Sequence, residues 1–255
     1  MNSGARLIGD NDRLRELFSE LGPGDCFLGR LRLRASEENL VADLLSRGVI
    51  LFPSGLCQLL GRSKVMQATV FAGEMLPGTR AIHDLHDLLL LLPEYQRLGV
   101  GRVVTKKDRA NAGLGINLWN SLEEVFNQAS LGGLAFPFVV QPFAENCRDI
   151  RVLLLADYQE AYWRDNPHNF RNNLHCGGRA TPAQLTASQL SLCQRVMVRG
   201  DFPYAHLDLM VTAEHRTFLA EINLRGGIRG AVITADEYRL RIAAIHQRFR
   251  EELGR

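Results

Sequence analysis

The chain has 255 residues, 46% hydrophobic and 23% charged, the composition of an ordinary globular protein, which excludes disorder, a collagen-like repeat and a disulfide scaffold. Thirty lysines and arginines against twenty-eight aspartates and glutamates leave a formal charge of +2, so no dense basic face exists to neutralise the many phosphates of a nucleic acid. Cys26, Cys57, Cys147, Cys176 and Cys193 are odd in number, widely spaced and without a CxxC pair, which argues against a zinc module and points to reduced thiols in a cytoplasm. The start of the chain holds no apolar stretch fit for a signal peptide, and the most apolar run, 88–92, ends at Pro93; neither export nor a membrane span is expected.

Apolar spacing predicts a helix over 37–47 with Gly48 at its end, then a short strand over 49–52 closed by Pro53, Ser54 and Gly55. Helical segments follow over 56–60 and 65–75, on either side of Lys64, and a leucine-rich helix over 83–98 is expected to break or end near Pro93. His83, Asp84, His86 and Asp87 at the start of that helix read as a solvated first turn rather than a metal cluster. A strand over 102–105, a glycine-bearing loop over 106–115, a strand over 116–119 and a helix over 121–129 complete the first half. In the second half, strands over 136–141, 150–155, 158–163, 206–211 and 217–222 look antiparallel, with helices over 187–198 and 235–253. Trp119 and Trp163 fall in strands and are expected in the core or between lobes. The pattern is α+β with a central cleft, and no repeat or linker separates the parts.

Two stretches carry chemistry. In LDLMVTAEHRTFLAEIN, adjacent strands of period two can aim Asp208 from one and Glu221 and Asn223 from the other at a single point. Two carboxylates and an amide oxygen form a hard oxygen set suited to Mg²⁺ or Mn²⁺ with phosphate oxygens as further ligands, although spacing alone fits plain strand ends equally well. Lys106 precedes a small-residue loop, Asn111 to Gly115, whose backbone amides could cover phosphates, or which could be a simple hairpin turn. The P-loop and Rossmann glycine strings are both absent.

In order, these pieces resemble the ATP-grasp superfamily, and most closely its RimK-like branch of glutamate ligases that modify a ribosomal protein C-terminus. The resemblance runs from about Val49 to the C-terminus: GVILFPSGLCQLLGRSK ends in Lys64, VVTKKDRANAGLGI supplies Lys106, and Lys107 lies one place off the register set by Gly113 and Gly115. FVVQPF is similar to the family's adenine hinge, Asp149-Ile150-Arg151 to its Asp-Ile-Arg string, and NFRNNLHCGG to its Arg-Ser-Asn-Leu-His-Arg-Gly-Gly segment. AHLDLMV with FLAEIN is similar to its paired metal strands.

The resemblance implies an ATP-grasp fold of two α+β lobes with a nucleotide cleft between them. Residues 1–60 would be a shortened N-terminal segment and 61–255 the ATP-grasp domain, its smaller lobe over about 64–141 and its larger over about 142–255. Lys64 and Lys106 would touch the ATP phosphates, the hinge at Gln141, Pro142 and Phe143 the adenine, and Asp149 the ribose. Arg171, Asn172 and Asn173 would meet the phosphates or the developing acyl phosphate, Arg151 and Arg171 would orient both anions, and Asp208, Glu221 and Asn223 would hold two divalent ions. His175 lies inside the same matched segment.

The departures concern the substrates. Pro142 and Phe143 replace the acidic residue and tyrosine of the family hinge, and Pro142 forfeits an N–H donor. Cys176 stands where the branch has arginine, and Leu224-Arg225-Gly226-Gly227-Ile228-Arg229 replaces its Ser-Pro-Gly turn, making Arg225 and Arg229 candidate carboxylate clamps. The expectation is an ATP-dependent carboxylate–amine ligase acting through an acyl phosphate on small-molecule or peptide substrates, its short N-terminal lobe completed by a second copy or a protein partner. The rivals are a non-catalytic ATP-binding module and a small-molecule kinase on the same fold.

Overall fold

The computed structural model describes residues 5–110, 114–166 and 177–254. The N-terminal part is a small parallel sheet of β1 (Leu7–Ile8), β2 (Cys26–Leu28) and β3 (Ile50–Phe52) in that order, crossed over by α1 (Asn11–Glu16) and α2 (Glu38–Ser46). Asp10 caps α1 by accepting from the Asp12 and Arg13 amides, and Val41 and Leu44 of α2 pack with Phe27 and Leu51. In this sheet β1 and β2 are not expected from the sequence, both being too short to show a period.

Two short helices, α3 (Gly55–Leu60) and α4 (Lys64–Val70), lead onward. The helix expected over 65–75 stops at Val70 because its continuation serves the far sheet: the Leu219 amide donates to the Glu74 carbonyl at 2.8 Å, and Met75 bridges to Leu219. Next come β4 (Arg80–Ile82), α5 (Leu85–Arg97), β5 (Val103–Lys107), β6 (Ile116–Trp119), α6 (Leu122–Ser130) and β7 (Phe138–Pro142). Their strands form an antiparallel sheet in the order β4-β7-β5-β6, and Leu88, Leu91 and Tyr95 of α5 meet Leu122 and Val125 of α6 in its core. Helix α5 runs through Pro93 without ending there; Leu89, whose carbonyl loses its helical partner at Pro93, is half-exposed and open to water. Asp84 caps this helix and Asp87 accepts from the His83 amide, so the His/Asp group is a helix start.

The largest sheet is antiparallel, built from β8 (Arg148–Leu155), β9 (Tyr158–Asp165), β10 (Arg179–Pro182), β11 (Tyr204–Val211) and β12 (Thr217–Asn223) in the order β10-β9-β8-β11-β12. On one face Ile150, Val152, Leu207, Leu209 and Ile222 share an apolar cluster with Leu192, Cys193 and Val196 of α7 (Ala187–Gly200), a helix started by a Thr186–Gln189 capping box. The other face is apolar only at one end, where Leu153, Leu155 and Tyr204 cluster with Tyr238 of α8 (Ala235–Glu252). Further along, the same face carries Asp149, Arg151, Arg164, Asp208 and Glu221. Among the described residues no helix is long and apolar enough to cross a membrane.

Candidate active site

Register alone assembles the charged face. Arg151 of β8 pairs with Asp208 of β11, which pairs with Glu221 of β12; Asp149 pairs with Arg164 of β9, and His206 with Asn223. Directly opposed residues share a face, so Asp208, Glu221 and Asn223 project to one side as the sequence predicts. A bulge follows: Asp208 faces Glu221 but Leu209 faces Leu219, leaving Ala220 unmatched. Its carbonyl receives the Lys106 ammonium at 3.4 Å, so the irregularity re-aims a backbone acceptor into the site.

The lysines arrive from the other sheet and from α4. Lys64 opens α4, and its Nζ donates to Glu221 Oε1 at 2.9 Å and to the Ala110 carbonyl at 2.6 Å. Alternation along β5 turns Lys106 into the cleft and leaves Lys107 exposed. Asp108, just after β5, ties the two together: its Oδ1 accepts from Ser63 Oγ at 3.0 Å and from the Val65 amide at 3.2 Å, pinning the start of α4 to the Lys106 strand. The Lys106 ammonium lies below the ordinary lysine value because burial disfavours its charge, against the pull of Glu221.

Arginines occupy the inner carboxylates. Arg164 bridges two of them, Nε to Asp149 Oδ1 at 2.5 Å and Nη2 to Asp208 Oδ2 at 3.0 Å, while Arg151 Nη2 reaches Asp208 Oδ2 at 3.1 Å and its Nε pairs with Oδ1. Burial drives both carboxyls upward; for Asp208 the two arginines outweigh it and hold the group below the usual range, whereas Asp149 rises to about 6, with the Asp208 charge adding to burial. His206 is buried, shares a hydrogen bond with the Tyr238 hydroxyl through Nε2 at 2.9 Å, and leaves Nδ1 without a partner. Burial, reinforced by the Arg151 charge, pushes its pKa down to about 3, so the ring is neutral.

The turn after β12 closes over this face. A Cβ on Gly226 would lie 2.9 Å from both Arg151 Nη1 and His206 Nδ1, so only glycine permits the approach. Tyr162 donates its hydroxyl to the Arg229 carbonyl at 3.2 Å, and Glu160 accepts from the Val232 and Ile233 amides at 2.5 and 3.2 Å. Arg225 and Arg229 are exposed at the rim; the Arg225 side chain hydrogen-bonds to Tyr238. At the hinge, Gln141 is buried with Nε2 3.8 Å from Met210 Sδ, Pro142 ends β7 opposite Val103, and the Phe143 amide donates to the Arg102 carbonyl at 2.9 Å. Arg171, Asn172 and Asn173, with His175 and Cys176, lie outside the described residues.

Sequence reasoning passed over Arg164, His206, Asp108 and Tyr162. A signal for two of them existed: β8 and β9 join through a tight turn at Ala156 and Asp157, and counting back from Leu155 opposite Tyr158 sets Tyr162 against Arg151 and Arg164 against Asp149.

A divalent ion fits this donor set on chemical grounds. Asp208 is buried, with Oδ1 ion-paired to Arg151, and Glu221 and Asn223 offer further oxygens on the same face. Among the described residues no three His, Cys, Asp or Glu side chains gather closely enough to hold a metal, so oxygens from outside the protein, such as phosphate, must complete the shell.

A lysine pair facing a carboxylate-bearing antiparallel sheet across a cleft is the arrangement of an ATP-grasp protein. The chain belongs to the RimK-like ATP-grasp domain family, whose model matches residues 59–238. It is 26% identical over 170 residues, 65% of its own length, to a probable alpha-L-glutamate ligase of Trichodesmium erythraeum, and spans 56% of that protein. A D-cycloserine synthetase superposes with a TM-score of 0.62 at 12% identity, over 91% of this chain and 85% of that one. A RimK domain ATP-grasp protein from Sphaerobacter thermophilus superposes with a TM-score of 0.56 at 14% identity, over 96% and 99%. These likenesses show the ATP-grasp fold.

Proposed function

We propose that the protein is an ATP-dependent carboxylate–amine ligase that forms an amide or peptide bond and releases ADP and phosphate. The observation that carries this reading is the convergence of Lys64 and Lys106 with Asp208 and Glu221 on one buried face. Glutamate ligase and glutathione synthetase activities, named for relatives of which this chain spans about half, support the reaction class.

In the first step a substrate carboxylate oxygen attacks the γ-phosphorus of ATP, the bond to the β-phosphate oxygen breaks, and ADP leaves. Repelling anions meet there, and Lys64, Lys106, Arg151 and Arg164 supply fixed positive charge against it. Divalent ions, two in this reading, would be held by Asp208, Glu221 and Asn223 and would neutralise phosphate charge when bound. In the second step an amine attacks the acyl carbon, loses a proton and expels phosphate. Arg151, with Arg171 and Asn173, orients the acyl phosphate; Asn172 contacts phosphate.

Gln141, Pro142 and Phe143 form the adenine hinge. With Pro142 lacking an N–H and that of Phe143 given to Arg102, the hinge offers adenine carbonyl acceptors and donors from beyond Phe143. Asp149, assigned to the ribose by resemblance, also serves as the partner of Arg164. Arg225 and Arg229 border the substrate carboxylate. Residues 61–255 form the ATP-grasp unit, acting in the cytoplasm together with a second copy or a protein partner.

The test is ADP, AMP and phosphate release from Mg-ATP with pooled amino acids and a small-molecule extract, using the native protein, Glu221→Ala and Asn223→Ala. Stimulated ADP release that needs both residues, with an amide found by mass spectrometry, supports the ligase; a phosphate ester would make it a kinase, and tight binding without turnover a binding module.

A further inference from the structure

The carboxylates of the metal set are not waiting bare. Asp208 is held by Arg151 and Arg164, Glu221 by Lys64, and Arg164, only 6% exposed, spans Asp149 and Asp208 at once. Together with Lys106, four cations face three carboxylates, so the face already carries the positive charge that a metal ion would otherwise supply. A bare divalent ion entering here meets like charge, must break charge-assisted hydrogen bonds, and finds among the described residues no group of three His, Cys, Asp or Glu side chains to hold it. Nucleotide phosphates change the balance, because they give Lys64, Lys106 and the arginines new anionic partners and offer the missing oxygen ligands.

We propose that Arg164 is a positioning residue that stands in for the metal: it holds Asp149 and Asp208 together in the empty cleft and keeps divalent ions out until a nucleotide polyphosphate draws the site's cations away. Metal and nucleotide therefore bind with strong mutual dependence, and by linkage each strengthens the other by the same factor. This inference rests on the ligase reading only for the metal role of Asp208, Glu221 and Asn223, and makes no use of the acceptor.

The experiment measures Mn²⁺ held by the full chain by equilibrium dialysis, without nucleotide and with saturating ADP, against the same Mn²⁺ and ADP mixture without protein. The native protein is expected to bind Mn²⁺ at least tenfold more tightly with ADP, and Arg164→Met to tighten nucleotide-free binding by roughly tenfold through loss of a close like charge. Arg164→Met strands the Asp149 carboxylate, so Arg164→Met with Asp149→Asn is measured alongside it; the pair leaves net charge unchanged, frees one side of Asp208, and is expected to tighten nucleotide-free binding as well. Equal Mn²⁺ affinity with and without ADP in the native protein overturns the inference, as does a double variant that folds and binds Mn²⁺ without nucleotide no better than the native protein. If Mn²⁺ fails to bind even with ADP, or binds Asp208→Asn with ADP undiminished, the metal-site reading itself falls and takes this inference with it.

Discussion

Gln67 fixes β12 to the helix that carries Lys64. It is 2% exposed, and its amide makes three hydrogen bonds: Nε2 donates to the Leu60 carbonyl at 2.7 Å and to the Ile222 carbonyl at 2.8 Å, and Oε1 accepts from the Ile222 amide at 3.0 Å. Because β12 is the edge of its sheet, the outward backbone groups of Ile222 have no strand to pair with, and one glutamine side chain serves as that strand. Gln67→Met keeps the volume and removes all three bonds while leaving their backbone partners buried. At about 1 to 1.5 kcal/mol for each bond lost against an unchanged buried partner, the loss is about 3 to 4.5 kcal/mol. For a chain of this size that is a fall in melting temperature of about 6 to 18 °C. Urea denaturation and thermal melts read the change directly, and ADP-induced stabilisation should shrink too, because Glu221 precedes Ile222 and is paired with Lys64. A loss below about 1 kcal/mol, within the range of a single exposed contact, would refute the argument that this amide closes the sheet edge.

Gly226→Ala places a methyl group 2.9 Å from Arg151 and His206; it should lower stability by about 1 to 3 kcal/mol and weaken nucleotide binding in a thermal-shift titration, and native-like values for both would show that the turn tolerates the side chain. Glu160→Ala releases the Val232 and Ile233 amides and the Tyr158 hydroxyl, so trypsin should cut at Arg225 and Arg229 roughly tenfold faster, as followed by mass spectrometry; an unchanged rate would deny Glu160 its anchoring role. His206 stays neutral in the fold down to about pH 3 whereas the unfolded chain takes up its proton below about 6.5. Its contribution to stability is therefore complete above pH 6.5 and drains away toward pH 3, at up to about 1.4 kcal/mol per pH unit. His206→Gln should flatten the acid side of the stability profile between those values, and parallel profiles would contradict the buried neutral ring.

What the sequence revealed and what it hid follow from the range of each signal. The β11–β12 pair was legible because period two aligns Asp208, Glu221 and Asn223 whatever the turn between them, and the structure sets Asp208 opposite Glu221. Helix α7 was equally plain over 187–198, and the structure opens it with a capping box of Thr186 and Gln189. Strands β1, β2, β4 and β10 escaped because two to four residues show no period, and their pairing depends on neighbours distant in the chain. Arg164 and His206 were hidden for a related reason: Arg164 acts through Asp149 and Asp208 on other strands, and His206 through Tyr238 on α8. Asp108 and Gln67 reach across from loop and helix to Ser63 and Ile222, contacts that no local pattern encodes.

Transfer of a phosphoryl group onto a carboxylate in this cleft would leave an isotopic trace. Once a stimulating carboxylate has been found, its oxygens are labelled with ¹⁸O and the released phosphate is weighed by mass spectrometry. An acyl phosphate requires one labelled oxygen to pass into phosphate with each ADP formed, and Lys106→Met and Glu221→Gln should abolish the transfer while leaving the chain folded. Unlabelled phosphate, or AMP in place of ADP, would contradict the account.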